Sequence, residues 1–189
     1  LLAGLFEVVY ISWQGAFGLA SHYNISSPFY GAMYTAMGIF AVLLTSTSGV
    51  LGYTVLRDRS QTYATSVGMR HAIGWGLIIS SVLGIVTGAI LGGRTSSGGH
   101  WVGGTTNDAL GLMVLNWSRD GGDLRVAHFF ALHAMQILPV MAMLFIWLTP
   151  NMSPNTSKQF IWLLAVGYAG FCIFTLMQAL RGTPFLGSV

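Results

Sequence analysis

Apolar residues occur along this chain in long uninterrupted windows, and polar residues collect in the links between them. Five windows hold at most one charged residue each: 1–20, 28–56, 71–93, 126–149 and 159–180. Each is long enough to cross a hydrocarbon core of about 30 Å as an α-helix. None alternates apolar and polar residues as membrane β-strands do. The pattern therefore predicts an all-α polytopic membrane protein, a single integral membrane domain built as a bundle of five transmembrane helices.

Composition narrows the class of protein further. The chain has 189 residues, of which 53% are hydrophobic and 7% are charged, whereas about a quarter of the residues in a soluble domain are charged. Its eight Lys and Arg residues are spread over the links and form no basic face, so the expected partner is the lipid bilayer and not a nucleic acid. The one cysteine, Cys172, lies in an apolar window and supports neither a disulfide framework nor a thiolate zinc site.

One link is much longer than the others. It spans residues 94–125 and is rich in glycine, which permits the backbone conformations needed to fold back over the end of a bundle. Within it, residues 107–117 begin with good cap residues and continue with an apolar run, which predicts a short interfacial helix. Trp101 and Trp117 are expected to lie among the lipid headgroups. We therefore interpret the 94–125 loop as a lid between the third and fourth spans.

Five alternating spans place the links on two sides of the membrane. The first link, the 94–125 loop and the C-terminal residues share one side, here named face A. The links 57–70 and 150–158 share the other side, face B. Both faces carry the same number of Lys and Arg residues, but three arginines crowd the 57–70 link. Positive residues concentrate on the cytoplasmic side, so we expect face B to be cytoplasmic, in a bacterial inner membrane or an equivalent energy-coupling membrane.

The third window carries small residues at strict four-residue spacing, which forms one nearly straight stripe along a helix. The stripe consists of Gly76, Ser80, Gly84, Gly88 and Gly92. Small residues allow helix backbones to approach closely in lipid, so another helix should pack there. The second window offers a shorter matching stripe in Ala41, Thr45 and Gly49. Packing within the chain is the favoured interpretation, and a seam with another copy or subunit is the alternative.

The first window contains one ionisable residue, Glu7. An ionisable group at membrane depth suggests a proton or cation site. Glu7 is, however, only about 10 Å along its helix by the rise per residue, so we favour a carboxylate at the membrane interface.

Four of the five histidines belong to face A: His22, His100, His128 and His133. Neutral imidazole is a common metal ligand and a frequent axial ligand of haem iron. His128 and His133 are five residues apart, so their side chains diverge by about 140° on a helix. They therefore cannot ligate one ion as an i,i+4 pair does. A second ligand would have to come from another segment, and His22 and His100 are the candidates.

These residues define a candidate haem b or divalent-metal site, in which His128 and His133 are the candidate metal ligands. Arg125 would pair with a haem propionate or an anionic headgroup, because its guanidinium matches such groups geometrically. Asp123 and Gln136 would fix the imidazole tautomers, as ligating histidines usually require. Hydrogen bonding alone also explains such histidines, and it is the favoured interpretation.

No arrangement of residues identifies a catalytic centre, and this favours a non-catalytic membrane subunit or scaffold. Its partners would be other membrane subunits or a second copy of the chain. The first alternative is an electron-transfer protein that holds haem b or a metal. The second alternative is a small transporter or an enzyme acting on a lipid or a quinone under the loop.

Overall fold

The computed structural model describes residues 2–58, 66–94, 99–108 and 111–187. Over these residues the fold is helical, with one short antiparallel strand pair. The elements are α1 (Leu2–Ala16), α2 (Pro28–Arg57), α3 (Val67–Gly92), β1 (Trp101–Val102), β2 (Gly122–Asp123), α4 (Leu124–Leu148) and α5 (Pro154–Leu180). Four of these helices, α2 to α5, are long and apolar enough to cross a membrane. The prediction of an all-α fold is thereby confirmed for the described residues, and the four helices are compatible with the predicted multi-pass membrane protein.

The first helix is shorter than its apolar window. Its 15 residues correspond to about 22 Å at the rise of an α-helix. Beyond Ala16 the chain turns at Gly18, whose φ of +65° is a conformation that favours glycine. The structure therefore shows four candidate spans among its described residues and not the five that were predicted.

Caps set the starts of the other helices. Ser27, Ser66 and Ser153 each accept a hydrogen bond from a backbone N–H three residues ahead, which satisfies one of the free donors at a helix start. Helices α3 and α5 consequently begin four or five residues before the charge-free windows. As a result Arg70 and Lys158 lie inside helices and not in links.

Helix α3 lies at the centre of the bundle and packs against α2, α4 and α5. Most of its small-residue stripe faces α4. A Cβ on Gly76 would lie 2.8 Å from the Ala134 carbonyl oxygen, and the Ser80 hydroxyl donates to the Leu132 carbonyl at 2.9 Å. The sequence interpretation offered α2 as the partner of this stripe. The structure places α4 against most of it, and α2 reaches the stripe at Gly84 through Thr45 and at Gly92 through Tyr34.

Helix α2 packs on a neighbouring strip of α3. A Cβ on Gly49 would lie 2.7 Å from Ser81 Oγ, and one on Gly52 would lie 2.7 Å from the Gly74 carbonyl oxygen. Glycines therefore permit both close contacts of α3: Gly49 and Gly52 of α2 where α2 approaches it, and Gly76 of α3 itself where α4 approaches it. Small residues are what allow such close contact between helices in lipid.

Helix α1 packs on α2, and this contact sets the depth of Glu7. The Phe6 and Phe40 rings meet edge to face with centroids 5.0 Å apart, and Leu44 lies beside Gly4. These contacts place Glu7 beside the middle of α2. The interfacial position of this carboxylate stays a prediction.

The long loop is braced by the strand pair, in which Trp101 is opposite Asp123 and Val102 is opposite Gly122. The interfacial helix expected over 107–117 is absent from residues 111–117; residues 109–110 lie outside the described ones. Val114 and Asn116 have φ values of +76° and +52°, which no right-handed helix accepts.

Trp117 also differs from its expected role. It is only 5% exposed, and its ring packs against Phe129, Phe130 and Phe185. It therefore fastens the loop to α4 and to the C-terminal residues and is not a headgroup anchor.

Candidate functional site

A cavity of about 540 Å³ lies between α1, α2, α3 and α4, towards face A. Glycines and aliphatic side chains form most of its wall. Its main polar side chains are Glu7, His22, Tyr23, Tyr34 and His128. An apolar cavity with a few converging polar groups is the usual form of a small-molecule or cofactor site.

His128 enters this wall from the first part of α4. A Cβ on Gly88 would lie 3.0 Å from its Cε1 atom, so the absence of a side chain at Gly88 makes room for the imidazole. The His128 ring therefore lies against the small-residue stripe of α3 in the wall of the cavity.

Thr87 is the hydrogen-bond partner of His128 Nδ1. Its Nδ1 lies 3.0 Å from Thr87 Oγ1, and the Thr87 hydroxyl donates its single proton at 2.7 Å to the Leu83 carbonyl. When the Thr87 hydroxyl donates to Leu83, its oxygen accepts from Nδ1–H of His128. The second nitrogen of the neutral ring, Nε2, then carries a lone pair that can bind a metal or accept a proton from a ligand.

His22 lines the same cavity from the link between α1 and α2. Its Nδ1 lies 3.0 Å from Ser21 Oγ, and its ring stands edge-on to Tyr34 with centroids 6.5 Å apart. Of the four histidines predicted for the site, these two share the cavity. His22, and not His100, is therefore the histidine from another segment that shares a cavity with His128.

His100 belongs to the loop and takes part in a separate cluster. Its Nε2 is 3.3 Å from Asp108 Oδ1, and its ring lies 3.9 Å from that of Trp101. Burial, together with the positive charge of Arg125, lowers the pKa of His100 despite the nearby carboxylates. This histidine is therefore held neutral near pH 7, away from the cavity.

Arg125 is the centre of that cluster. Its Nη2 donates to Asp123 Oδ2 at 2.7 Å, to Asp108 Oδ1 at 2.8 Å and to the Asn116 carbonyl at 2.6 Å. Burial would raise the pKa of Asp108, but the hydrogen bonds and charge of Arg125 outweigh it and hold that pKa below its usual value. Arg125 thus braces the loop and is occupied by protein carboxylates.

Asp123 does not contact an imidazole, contrary to the role expected for it. Its buried carboxylate accepts from the backbone N–H groups of Ser118 and Arg125 and from the Arg125 side chain. It caps α4 and closes the loop, which are structural tasks.

His133 and Gln136 lie elsewhere on α4. The His133 Nδ1–H donates to the Phe129 carbonyl at 2.7 Å, and the ring stacks on Phe129. Gln136 is exposed on the outer surface of the bundle. Neither lines the cavity. In the part of the chain that the structure describes, no three His, Cys, Asp or Glu side chains are grouped to hold a metal ion.

The sequence interpretation missed the tyrosines at the mouth of the cavity. Tyr23 donates to the Leu91 carbonyl at 3.2 Å and Tyr34 donates to the Gly92 carbonyl at 3.0 Å. Burial, reinforced by Tyr34, raises the pKa of Tyr23 to about 12, so this hydroxyl stays protonated. Both side chains tie the end of α3 to the first link and α2.

Comparison with protein-family models, with curated proteins and with solved structures gives no match for this chain. Its class therefore rests on the structure alone. Four helices are long and apolar enough to cross a membrane, which is compatible with a multi-pass membrane protein, and the α1–α4 cavity is its candidate functional site.

Proposed function

We propose that this protein binds haem b in the α1–α4 cavity, with His128 as an axial ligand. The supporting observation is that His128 lines the cavity with Thr87 Oγ1 3.0 Å from its Nδ1; with Nδ1 protonated, the Nε2 lone pair is left for a ligand. Ligating histidines characteristically donate their other N–H to an oxygen acceptor, and Thr87 Oγ1 is that acceptor. A bound haem would make the protein an electron-transfer component of the membrane.

The cavity itself also favours a cofactor of this kind. Its volume of about 540 Å³ falls within the range of about 300–1,000 Å³ found for ligand and cofactor sites. His22 is the candidate second ligand because it lines the same wall. Arg125 is assigned no propionate, since Asp108 and Asp123 already occupy its guanidinium.

The test is a visible spectrum of protein purified in mild detergent after expression with a haem supply. We expect a Soret band that is lost in His128→Ala and retained in His133→Ala, a matched substitution on the same helix outside the cavity. Both variants should keep the helical circular dichroism of the parent. A colourless parent that also fails to bind added haemin refutes the haem proposal. If the parent instead contains a stoichiometric divalent metal that is lost in His128→Ala, the site binds a metal through His128 and not haem.

A quinol is the second candidate ligand, and Glu7 is the observation that favours it. The Nε2 lone pair of His128 can accept a quinol O–H, and the Glu7 carboxylate in the same cavity offers another proton acceptor. This corresponds to an enzyme or carrier acting on a quinone. A short-chain quinol should then raise the melting temperature of the parent and have no effect on His128→Ala.

A role as a membrane subunit is supported by the outer surface of α4. Gln136 is exposed there near the middle of the helix, where a polar side chain facing lipid is costly unless another helix satisfies it. Other membrane subunits or a second copy would supply that helix. Native gels should show an assembly that Gln136→Leu weakens, and an unchanged monomer in both proteins would contradict this role.

The topology is also a proposal. Helix α1 would serve as a fifth membrane helix, and face B would be the cytoplasmic side of a bacterial inner membrane or an equivalent membrane. Cysteines introduced at Ser26 and Ser66, which are exposed on faces A and B, should react with an impermeant reagent from opposite sides. Only Ser66→Cys should be protected in intact cells.

A further inference from the structure

A second cavity, of about 560 Å³, lies in the other half of the bundle. Leu56 of α2 and Leu163 of α5 form its sides, and His71 and Trp75 of α3 lie between them. It is thus a groove between α2 and α5, distinct from the α1–α4 cavity. Nothing in the proposed function uses it.

The face-B end of this groove is positively charged. Lys158 lines it together with His71, and both Lys158 and Arg70 act electrostatically on the His71 ring. Helices α3 and α5 also begin at this end, close enough that Gly68 has no room for a Cβ beside Ser157. Their N-terminal dipoles add to the positive potential.

The rest of the groove is apolar and aromatic. Trp75 and Trp162 line it, and Trp162 and Leu163 are 49% and 61% exposed, so the wall continues into the lipid-facing surface of α5. A ligand of this groove therefore needs an anionic group at one end and a hydrocarbon body along the other.

We propose that the groove binds one anionic glycerophospholipid, with its phosphate beside Lys158 and an acyl chain along Trp75 and Trp162. A soluble anion would pair with Lys158 but would leave the apolar wall of the groove without a contact. A zwitterionic lipid would cover the apolar wall, but the cation of its headgroup would be repelled by Lys158 and Arg70. Basic pockets between membrane helices are known to select anionic headgroups.

The test compares lipid retention by the full chain in native mass spectrometry and in thermal melts. Phosphatidylglycerol should be retained and should raise the melting temperature, whereas phosphatidylcholine should do neither. Lys158→Ala should lower phosphatidylglycerol retention at least several-fold, and Lys158→Arg should restore it. The matched control is Arg57→Ala, also on face B, because Arg57 stacks over Tyr53 and does not line the groove.

Three results would overturn the proposal. Equal retention of phosphatidylglycerol and phosphatidylcholine would show that the charge of the headgroup does not select the lipid. Equal losses in Lys158→Ala and Arg57→Ala would show a diffuse attraction of the whole face. Displacement of the lipid by inorganic phosphate at millimolar concentration would identify a soluble-anion site. None of these outcomes depends on whether haem binds at His128.

Discussion

Gly76 offers the sharpest test of how α3 and α4 are held together. An alanine there places a Cβ 2.8 Å from the Ala134 carbonyl oxygen and 3.1 Å from Met135 Cα. Both atoms are backbone, so they cannot move aside as a flexible side chain would. Since carbon atoms pack best at about 3.5–4.0 Å, α4 has to shift by about 0.5–1 Å.

A shift of that size weakens the neighbouring contacts as well. A gap of about 0.5–1 Å forfeits about a quarter to a half of the dispersion energy of each contact, and overpacking commonly costs about 1–3 kcal/mol. Alanine also stabilises a helix over glycine by up to about 1 kcal/mol. The net change for Gly76→Ala is therefore a loss of about 0–2 kcal/mol in the free energy of unfolding.

The matched control removes the helix-propensity contribution. Gly167 lies within α5, and a Cβ there meets nothing within 4 Å. Gly167→Ala should therefore stabilise the protein slightly, and the two variants should differ by about 1–3 kcal/mol. The assay is unfolding in mixed micelles with increasing dodecyl sulfate, followed by circular dichroism. A difference below about 0.5 kcal/mol would refute close backbone packing at Gly76.

Three further predictions concern the site and the loop. Thr87→Val should weaken haem binding about 10-fold or more in a haemin titration, because the acceptor that orients His128 is lost. Asp123→Ala should lower the free energy of unfolding by about 3 kcal/mol in the same micelle assay, since it breaks a buried ion pair. Acidification from pH 7 towards pH 4 should loosen the loop and change tryptophan fluorescence. The folded-state pKa of His100 is depressed below 6.5, so the unfolded chain binds this proton first and stability falls as pH falls in this range; the depressed pKa of Asp108, below 3.8, adds a further loss only at lower pH, and His100→Gln should reduce the change.

The sequence predicted the bounds of a helix well where the charge-free window and the helix begin and end at the same residues. The second window, 28–56, corresponds to α2 at Pro28–Arg57, because Ser27 and Pro28 start the helix where the apolar run starts. The fifth window, 159–180, missed the first turn of α5, because Ser153 and Pro154 favour a helix start although the following residues are polar. Charge marks the membrane part of a helix and caps mark its ends.

The site was predicted less well because it depends on how helices meet. Thr87 and His128 are 41 residues apart, and only the packing of α3 on α4 brings them together. His100 and His128 share face A in the sequence, yet the strand pair draws His100 towards Asp108. A pattern along one helix indicates which face is polar, but it does not identify the neighbour.

The loop is fastened by Trp117 over α4 and the C-terminal residues, and none of its described residues lines the α1–α4 cavity. The wall of that cavity includes Val42 of α2, whose side chain is 43% exposed. A hydrophobic ligand can therefore enter laterally from the bilayer. It is concentrated there because each CH₂ group moved from water into the lipid gains about 0.8 kcal/mol. Occupancy then follows the amount of ligand dissolved per lipid, so changing the protein-to-lipid ratio alters binding even at a constant concentration in the surrounding water.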